Sequence, residues 1–309
     1  MRFVKTDQDL PGFSLIHISD FHLCRPAGAP LAWFGNKRAL SYFSWRIRRR
    51  RQHDPVILDT LVQAVRAEAA DHVVVTGDLT RLALAAEFDA ARRYLAGLGS
   101  PQNVFLVPGN HDALVGAGCD DRLRIWADYL APDGCQAPHR TVFPTLRVRG
   151  SVALIGLSSA HPTRPFSAAG SIGAEQLARC SRLLAETGRR SLYRILLIHH
   201  PPVAGMLSAH KRLVDAEALA QVVQQRGADL VLHGHGHRRS RAFLPGPQAP
   251  IPVRGAPSAS ATSCDPLRRA GFAVVRINRA SSGWKATFQD HWYAHEQRCF
   301  LLEAPESIG

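Results

Sequence analysis

Several features are missing from this sequence, and each absence narrows its class. No run of about 18 uninterrupted apolar residues occurs among the 309, so no membrane-spanning helix is expected. Met1 to Leu10 is polar and charged, and the apolar stretch Phe13 to Ile18 is cut short by Ser19 and Asp20, so no signal-peptide core is expected either. The six cysteines (Cys24, Cys119, Cys135, Cys180, Cys264, Cys299) form no C-x-x-C pair and no zinc-finger spacing, which predicts free thiols and a reducing cytosol. Acidic residues are outnumbered, 25 Asp and Glu against 38 Lys and Arg, and the formal charge of +13 favours phosphates, nucleic acid or anionic lipid headgroups as partners. There is no internal repeat and no linker rich in Gly, Ser or Pro. The 24 glycines and 20 prolines are scattered, which excludes collagen-like architecture and suits a fold with many tight loops.

What is present reads as a layered α/β domain. With 46% apolar residues the chain can bury a large core. Short β-rich runs alternate with helical patterns over the first two thirds. Extended runs are predicted at Ser14 to Ile18, His72 to Thr76, Val104 to Val107, Arg147 to Leu157, Tyr193 to Ile198 and Leu230 to Leu232. Helical spacing is seen at Leu58, Leu61, Val62, Val65 and Ala69, and over Ala85 to Leu95, Ala174 to Glu186 and Ala216 to Gln225. After Pro250 the pattern is mostly β, ending in Trp284 to Tyr293. One domain over 13–296 is expected, followed by a tail at 297–309.

A segment at 31–53 breaks this rhythm. It mixes Trp33, Phe34, Tyr42, Phe43 and Trp45 with Lys37, Arg38, Arg46 and Arg48 to Arg51, and Leu40, Phe43 and Ile47 share a helical face. Two expectations follow: a basic amphipathic helix on an anionic membrane or polyanion, or a solvated insertion whose aromatics dock on the core.

Metal-capable residues stand just beyond predicted strands: Asp20-Phe21-His22, Gly77-Asp78, Gly109-Asn110-His111-Asp112, His199-His200-Pro201 and Gly234-His235-Gly236-His237. Ligands of open α/β sheets bind at such ends. In an extended segment residues i and i+2 project to one side, so Asp20 with His22, and His235 with His237, are each expected to aim at one point. Asp20, His22, Asp78, Asn110, His199, His235 and His237 supply oxygen and nitrogen donors and no thiolate, which suits manganese, iron or zinc. They are too many for one ion and fit two if one carboxylate bridges. His200 and His233 are expected behind the ligands, His17 and His72 as structural residues, and Cys24 as a small buried thiol. Pro165 to Gly173, with His161, is a candidate lid.

These five blocks, in this order, resemble the calcineurin-like metallophosphoesterases from Ile16 to about His237. The resemblance implies a four-layer α-β-β-α sandwich and a binuclear centre. It places Asp20, His22, Asp78 and His237 on one metal and Asp78, Asn110, His199 and His235 on the other, the ions being divalent or of mixed valence. It implies direct hydrolysis of a phosphodiester or pyrophosphate by water activated at the ion pair, without a phospho-enzyme. It also sets His111 against the scissile phosphate, to supply a proton or simply a hydrogen bond to the leaving oxygen, with Asp112 orienting its ring.

Leu79-Thr80-Arg81 after Asp78 lacks the Asp-Arg-Gly of Ser/Thr protein phosphatases, and Arg81 stands where purple acid phosphatases carry a Tyr ligand. The remaining likeness is to bacterial class III cyclic-nucleotide phosphodiesterases and glycerophosphodiesterases. An alternative is the UDP-2,3-diacylglucosamine hydrolases of the lipid A pathway, one subgroup of which carries a basic stretch similar to that ending at Arg51. This reading implies a lipid-linked nucleotide substrate and peripheral contact with the inner membrane through 31–53, whereas the first implies a phosphate-containing small molecule. A non-enzyme alternative is a polyanion-binding module with a vestigial metal site. No motif that reads nucleic acid accompanies the charge, so a specific nucleic-acid partner is not expected.

Overall fold

A computed structural model of the chain describes residues 12–24, 42, 51–114, 119–135, 141–281 and 283–308. The first sheet contains β1 (Phe13–Ile18), β2 (His72–Val75) and β3 (Val104–Leu106), together with β10 (Gly271–Ala280), β11 (Gly283–Ala294), β12 (Cys299–Leu302) and β13 (Glu306–Ile308). Its strand order is β12-β11-β10-β1-β2-β3, with β13 on β11. The second sheet is β4 (Thr145–Arg149), β5 (Val152–Gly156), β6 (Tyr193–Ile198), β7 (Leu230–His233), β9 (Ile251–Gly255) and β8 (Ser240–Leu244), in that order. The strands that carry polar clusters run parallel within each sheet, β1 beside β2 beside β3 and β6 beside β7, so their C-terminal ends lie on one edge.

Side-chain alternation builds the layers. Ile16, Ile18, Val73, Val75, Val104 and Leu106 face α1 (Pro55–Ala67) and α2 (Ala85–Leu98), meeting Leu58, Leu61, Phe88 and Leu95. Their neighbours Leu15, Val74 and Phe105 face the second sheet and pack on Leu154, Ile195, Leu197, Leu230 and Leu232. On the far side Ile155, Leu196, Ile198 and Val231 pack under α5 (Ala174–Arg189) and α6 (Ala216–Arg226), touching Leu177, Leu184, Leu219 and Val223. The result is an α-β-β-α sandwich with a dry layer between the sheets. Two short helices, α3 (Cys119–Leu123) and α4 (Ala127–Leu130), joined by a 3₁₀ turn, complete the helical set among the described residues.

The structure departs from two of these expectations and adds one strand. Residues 147–157 are a hairpin, not one strand: Arg149 pairs with Val152, and the chain reverses at Gly150 with a φ of 56°. Within the expected tail at 297–309, Cys299–Leu302 and Glu306–Ile308 belong to the first sheet, since β12 and β13 pair with β11 and Ile308 is buried between the sheets. The apolar run Phe300-Leu301-Leu302 supplies that edge strand. The strand β8, unforeseen, alternates exposed and partly buried positions on an edge. Of the basic segment, Trp33, Phe34, Lys37, Arg38, Leu40, Phe43, Trp45, Arg46, Ile47 and Arg48 to Arg50 lie outside the described residues. Tyr42 is described, and its side chain is buried with Leu82, as a docked aromatic would be. No described helix is long and apolar enough to cross a membrane.

Candidate metal centre

All five polar clusters meet at the strand-end edge. The ladder between β1 and β2 continues past both strands, with Asp20 N donating to Gly77 O at 2.9 Å and His22 N to Asp78 O at 3.0 Å. The second sheet is tied to the first where His199 Nδ1 donates to Thr76 O at 2.6 Å. Two glycines make the approach feasible by their lack of a side chain. A Cβ at Gly109 would lie 2.2 Å from Asp78 Oδ1, and one at Gly234 1.9 Å from Ser19 Oγ and 2.5 Å from Asp20 Oδ2.

The local backbone is not the extended one expected. Asp20, His22, Asp78, His235 and His237 have φ of 57°, 49°, 54°, 63° and 48°, in the left-handed region that side-chain-bearing residues rarely occupy. The i, i+2 argument therefore fails in its mechanism. Asp20 and His22 do converge, through consecutive turns, whereas His235 and His237 are directed into different donor groups.

Donor atoms are selected by the bonds their partners make. Asp20 Oδ2 accepts from His235 N at 3.0 Å and Asp78 Oδ1 from His111 N at 2.8 Å, which frees one oxygen on each carboxylate. Asp20 Oδ1 lies 3.5 Å from His22 Nε2 and 3.2 Å from His237 Nε2. Asp78 Oδ2 lies 3.9 Å from His22 Nε2 and 3.3 Å from His199 Nε2, so one oxygen serves both groups. Asn110 Oδ1 is 3.2 Å from His199 Nε2. His235 Nε2 is 3.0 Å from Lys211 O; a carbonyl only accepts, so Nε2 carries the proton and Nδ1 bears the lone pair. Asp20, His22, Asp78 and His237 form one group able to hold an ion, and Asp78, His199 and His235 another, each with its donor atoms within 4.8 Å.

The residues fit a cation pair. Asp20 Oδ1 and His22 Nδ1 are buried without a hydrogen-bond partner. Although burial opposes it, the nearby His237 and His22 imidazoles hold Asp20 well below the usual carboxylate range, and His199 does the same for Asp78. Burial would lower His199 as well, yet the Asp78 carboxylate holds it up at about 9. A proton there answers the same negative field that a metal ion would. Two carboxylates, an amide and four imidazoles match manganese, iron or zinc better than calcium.

The neighbours sort as follows. His200 uses both ring nitrogens, Nδ1 on Ser159 Oγ at 2.7 Å and Nε2 on Ala168 O at 3.0 Å, and its ring packs 4.3 Å from that of His235. His233 bonds Gly234 O at 2.9 Å and Ser240 Oγ at 3.4 Å. His17 pairs with Thr76 Oγ1 at 2.9 Å, and His72 is buried at the start of β2. Burial lowers all four of these imidazoles. Burial pushes the Cys24 thiol up to about 12, which keeps it from acting as a thiolate. The 165–173 segment is tied down at Ala168 N to His210 O, 2.8 Å, and at Gly170 N to Arg212 O, 3.1 Å.

Asp112, expected to orient the His111 ring, makes its hydrogen bonds to the surrounding loop. Its carboxylate accepts from Thr80 N and Thr80 Oγ1, each at 3.0 Å, and from Gly109 N at 2.9 Å, bracing the loop instead. The His111 ring is held by Nδ1 donating to Arg81 O at 2.7 Å, leaving Nε2 free. Burial lowers His111 to about 3, against the Asp78 charge, so the ring is neutral. A residue three positions down a turn, with backbone N–H groups facing it, finds those donors before it finds its neighbour's ring. One imidazole was not singled out by sequence: His53 lies with its ring 4.7 Å from that of His22. It follows no strand and has no glycine beside it, so no local signal marks it.

Comparison with solved structures agrees with the fold. A dimetal phosphatase from Danio rerio is 14% identical, with a TM-score of 0.62 over 94% of this chain and 98% of that one. A purple acid phosphatase from yellow lupin is 13% identical, with a TM-score of 0.59 over 97% of this chain and 54% of that one. No sequence among the curated proteins matches the chain. The profile of the calcineurin-like phosphoesterases matches residues 13–239, which hold every donor named above. By that match the chain belongs to the calcineurin-like phosphoesterase family and is a metal-dependent phosphoester hydrolase, not a bare polyanion-binding module.

Proposed function

We propose that this hydrolase cleaves a phosphodiester or pyrophosphate bond by direct attack of water, in the manner of the bacterial cyclic-nucleotide phosphodiesterases. The observation that carries the reading is the sharing of Asp78 Oδ2 between two donor groups, 3.9 Å from His22 Nε2 on one side and 3.3 Å from His199 Nε2 on the other. Asp20, His22, Asp78 and His237 would hold one ion, and Asp78, Asn110, His199 and His235 the second. Such a pair supplies Lewis acidity to the phosphate oxygens and lowers the pKa of water. The chain itself does the positioning. Backbone N–H groups of His111 and His235 pin the two carboxylates, Thr76 O fixes the His199 tautomer, and Lys211 O fixes that of His235. His111 presents Nε2 to the substrate, where the neutral ring would accept a hydrogen bond and, having taken up the proton that the attacking water releases, would pass it to the leaving oxygen.

The test is hydrolysis of bis(4-nitrophenyl) phosphate with added Mn²⁺ by the wild type and by Asp78→Ala. Activity that survives the substitution would refute the reading. Cyclic nucleotides, glycerophosphodiesters and UDP-2,3-diacylglucosamine, compared as substrates, then separate the branches.

One observation favours the lipid-linked alternative. The end of the basic segment is stapled beside the first donor group, with Thr262 N donating to Gln52 O at 3.1 Å and His53 bridged to Ala261. The basic residues that precede this point in the sequence would suit a nucleotide with acyl chains in an anionic membrane surface. Neutralising Arg48 to Arg51 should then release the protein from anionic vesicles and leave soluble-diester hydrolysis unchanged.

A further inference from the structure

The donor groups derived above leave one imidazole over. One ring nitrogen each of His22, His53 and His237 lies within 4.8 Å of the others, a group that shares two residues with the first ion position and includes neither carboxylate. The His53 ring centroid is 4.7 Å from that of His22 and 6.0 Å from that of His237.

Proton counting shows which nitrogen is available. Ser258 Oγ donates to Asp20 O at 2.6 Å, and Ser260 Oγ donates to Phe21 O at 2.7 Å. A hydroxyl has one proton and a carbonyl has none, so both serine oxygens are left only to accept. His53 Nδ1, 2.9 Å from Ser260 Oγ and 3.3 Å from Ser258 Oγ, must therefore be the donor. The ring is then protonated at Nδ1, and Nε2 carries its lone pair. His199 has the same arrangement, Nδ1 donating to Thr76 O and Nε2 facing Asp78 and Asn110. An outer partner on one nitrogen that directs the other is how proteins prepare a ligating imidazole.

The backbone under His53 is fixed as well. It bridges Ala261, and Asp54 N donates to Ser260 O at 2.9 Å. The same two serines bond the carbonyls of Asp20 and Phe21, so His53 and the Asp20-Phe21-His22 turn are parts of one hydrogen-bonded unit.

We propose that His53 is a further ligand of the ion held by Asp20, His22, Asp78 and His237. That position then has three imidazole nitrogens beside two carboxylate oxygens, richer in nitrogen than its partner with His199, His235, Asn110 and Asp78. Nitrogen-rich sets prefer zinc, cobalt or iron to magnesium or manganese, so the two positions differ in metal preference. The inference rests on the phosphoesterase reading in that it needs the first four residues to hold an ion.

The experiment is a titration of metal-stripped protein with Co²⁺, following the visible absorption of the bound ion and competing with a chelator. Wild type is expected to take up two ions. In His53→Ala one affinity should fall by at least about tenfold, with a changed band, while the other stays put. Ser260→Ala, which loosens the ring without removing it, should lower the same affinity by less. Two unchanged affinities with an unchanged spectrum in His53→Ala would overturn the proposal and leave the phosphoesterase reading standing. Should that variant not fold, His53→Gln and Ser260→Ala decide between the same two outcomes by the same spectrum. A wild type that binds no Co²⁺ would remove both.

Discussion

His22 and His237 stand 215 residues apart in the chain, and their Nε2 atoms face each other at 2.8 Å. Asp20 Oδ1, buried and without a hydrogen bond, is beside both. Two imidazole nitrogens at that distance need a proton or a cation between them, and a carboxylate beside them makes a cation the better answer. Metal binding should therefore be folding energy. An ion at a thousandfold excess over its Kd stabilises the native state by about 4 kcal/mol. Chelation should lower the Tm by several degrees and Zn²⁺ or Mn²⁺ should restore it, as read by thermal unfolding. A melting curve indifferent to chelator would contradict the centre described here.

Gly109 is a spacer for Asp78. Since an added Cβ would sit 2.2 Å from Asp78 Oδ1 and 2.3 Å from Asp78 N, Gly109→Ala has to displace the shared carboxylate. Hydrolysis should fall at least about a hundredfold, as expected of a misplaced catalytic group. Metal analysis of the purified variant should show less than the full complement.

Asp112 braces a loop through Thr80 and Gly109. Asp112→Asn exchanges one acceptor for a donor facing backbone N–H or the Thr80 hydroxyl, which should cost about 2–3 kcal/mol of stability. The pH profile of kcat should keep its shape. A profile displaced by the substitution, at unchanged Tm, would restore the role first expected for Asp112.

His111→Ala should keep both ions and slow turnover. The loss should be largest for alkyl leaving groups, on the order of 10²–10⁴-fold, and small for nitrophenolate, which departs without a proton. Equal losses for the two would remove the proton-transfer role and leave the metal site intact.

Glu87 offers a pH test away from the centre. Its Oε2 accepts from Arg81 N, Leu82 N and Leu84 N at 3.2, 2.8 and 3.2 Å, and burial nonetheless pushes its pKa up to about 7 from 4.5. A raised folded pKa means the native state keeps a proton that the unfolded chain has lost. Stability from this group is complete below about pH 4.5, declines through the interval, and is gone above about pH 7, a loss on the order of 3 kcal/mol. Glu87→Gln should therefore raise the Tm at pH 8 relative to wild type and change it little at pH 4. The reverse order would show that the carboxylate is ionised in the native state.

The strands were readable because Ile16, Val74, Leu196 and Leu232 belong to short, continuous apolar runs that are buried on both faces. The hairpin at Gly150 was not, since Arg149 and Val152 continue the β-rich composition across the turn. The edge strands β8 and β12 were missed because half their positions face solvent, so composition there speaks weakly. Asp20, His22, Asp78, Asn110, His199, His235 and His237 were legible as a set, each following a buried strand. Their geometry was not legible, because five of them adopt left-handed backbone that only the surrounding packing sustains.

Residue order along the chain was enough to establish donor chemistry: carboxylate, amide and imidazole groups with no thiolate, each delivered at the end of an apolar run that must be buried. Periodicity over a few residues carries that information. Which oxygen of Asp78 is shared, which nitrogen of His235 is free, that Asp112 serves Thr80 and Gly109, and that His53 joins His22 and His237 were settled by long-range folding. Each depends on a hydrogen bond between residues tens to hundreds of positions apart, and the protons and lone pairs of such bonds are assigned only when the two sheets have met.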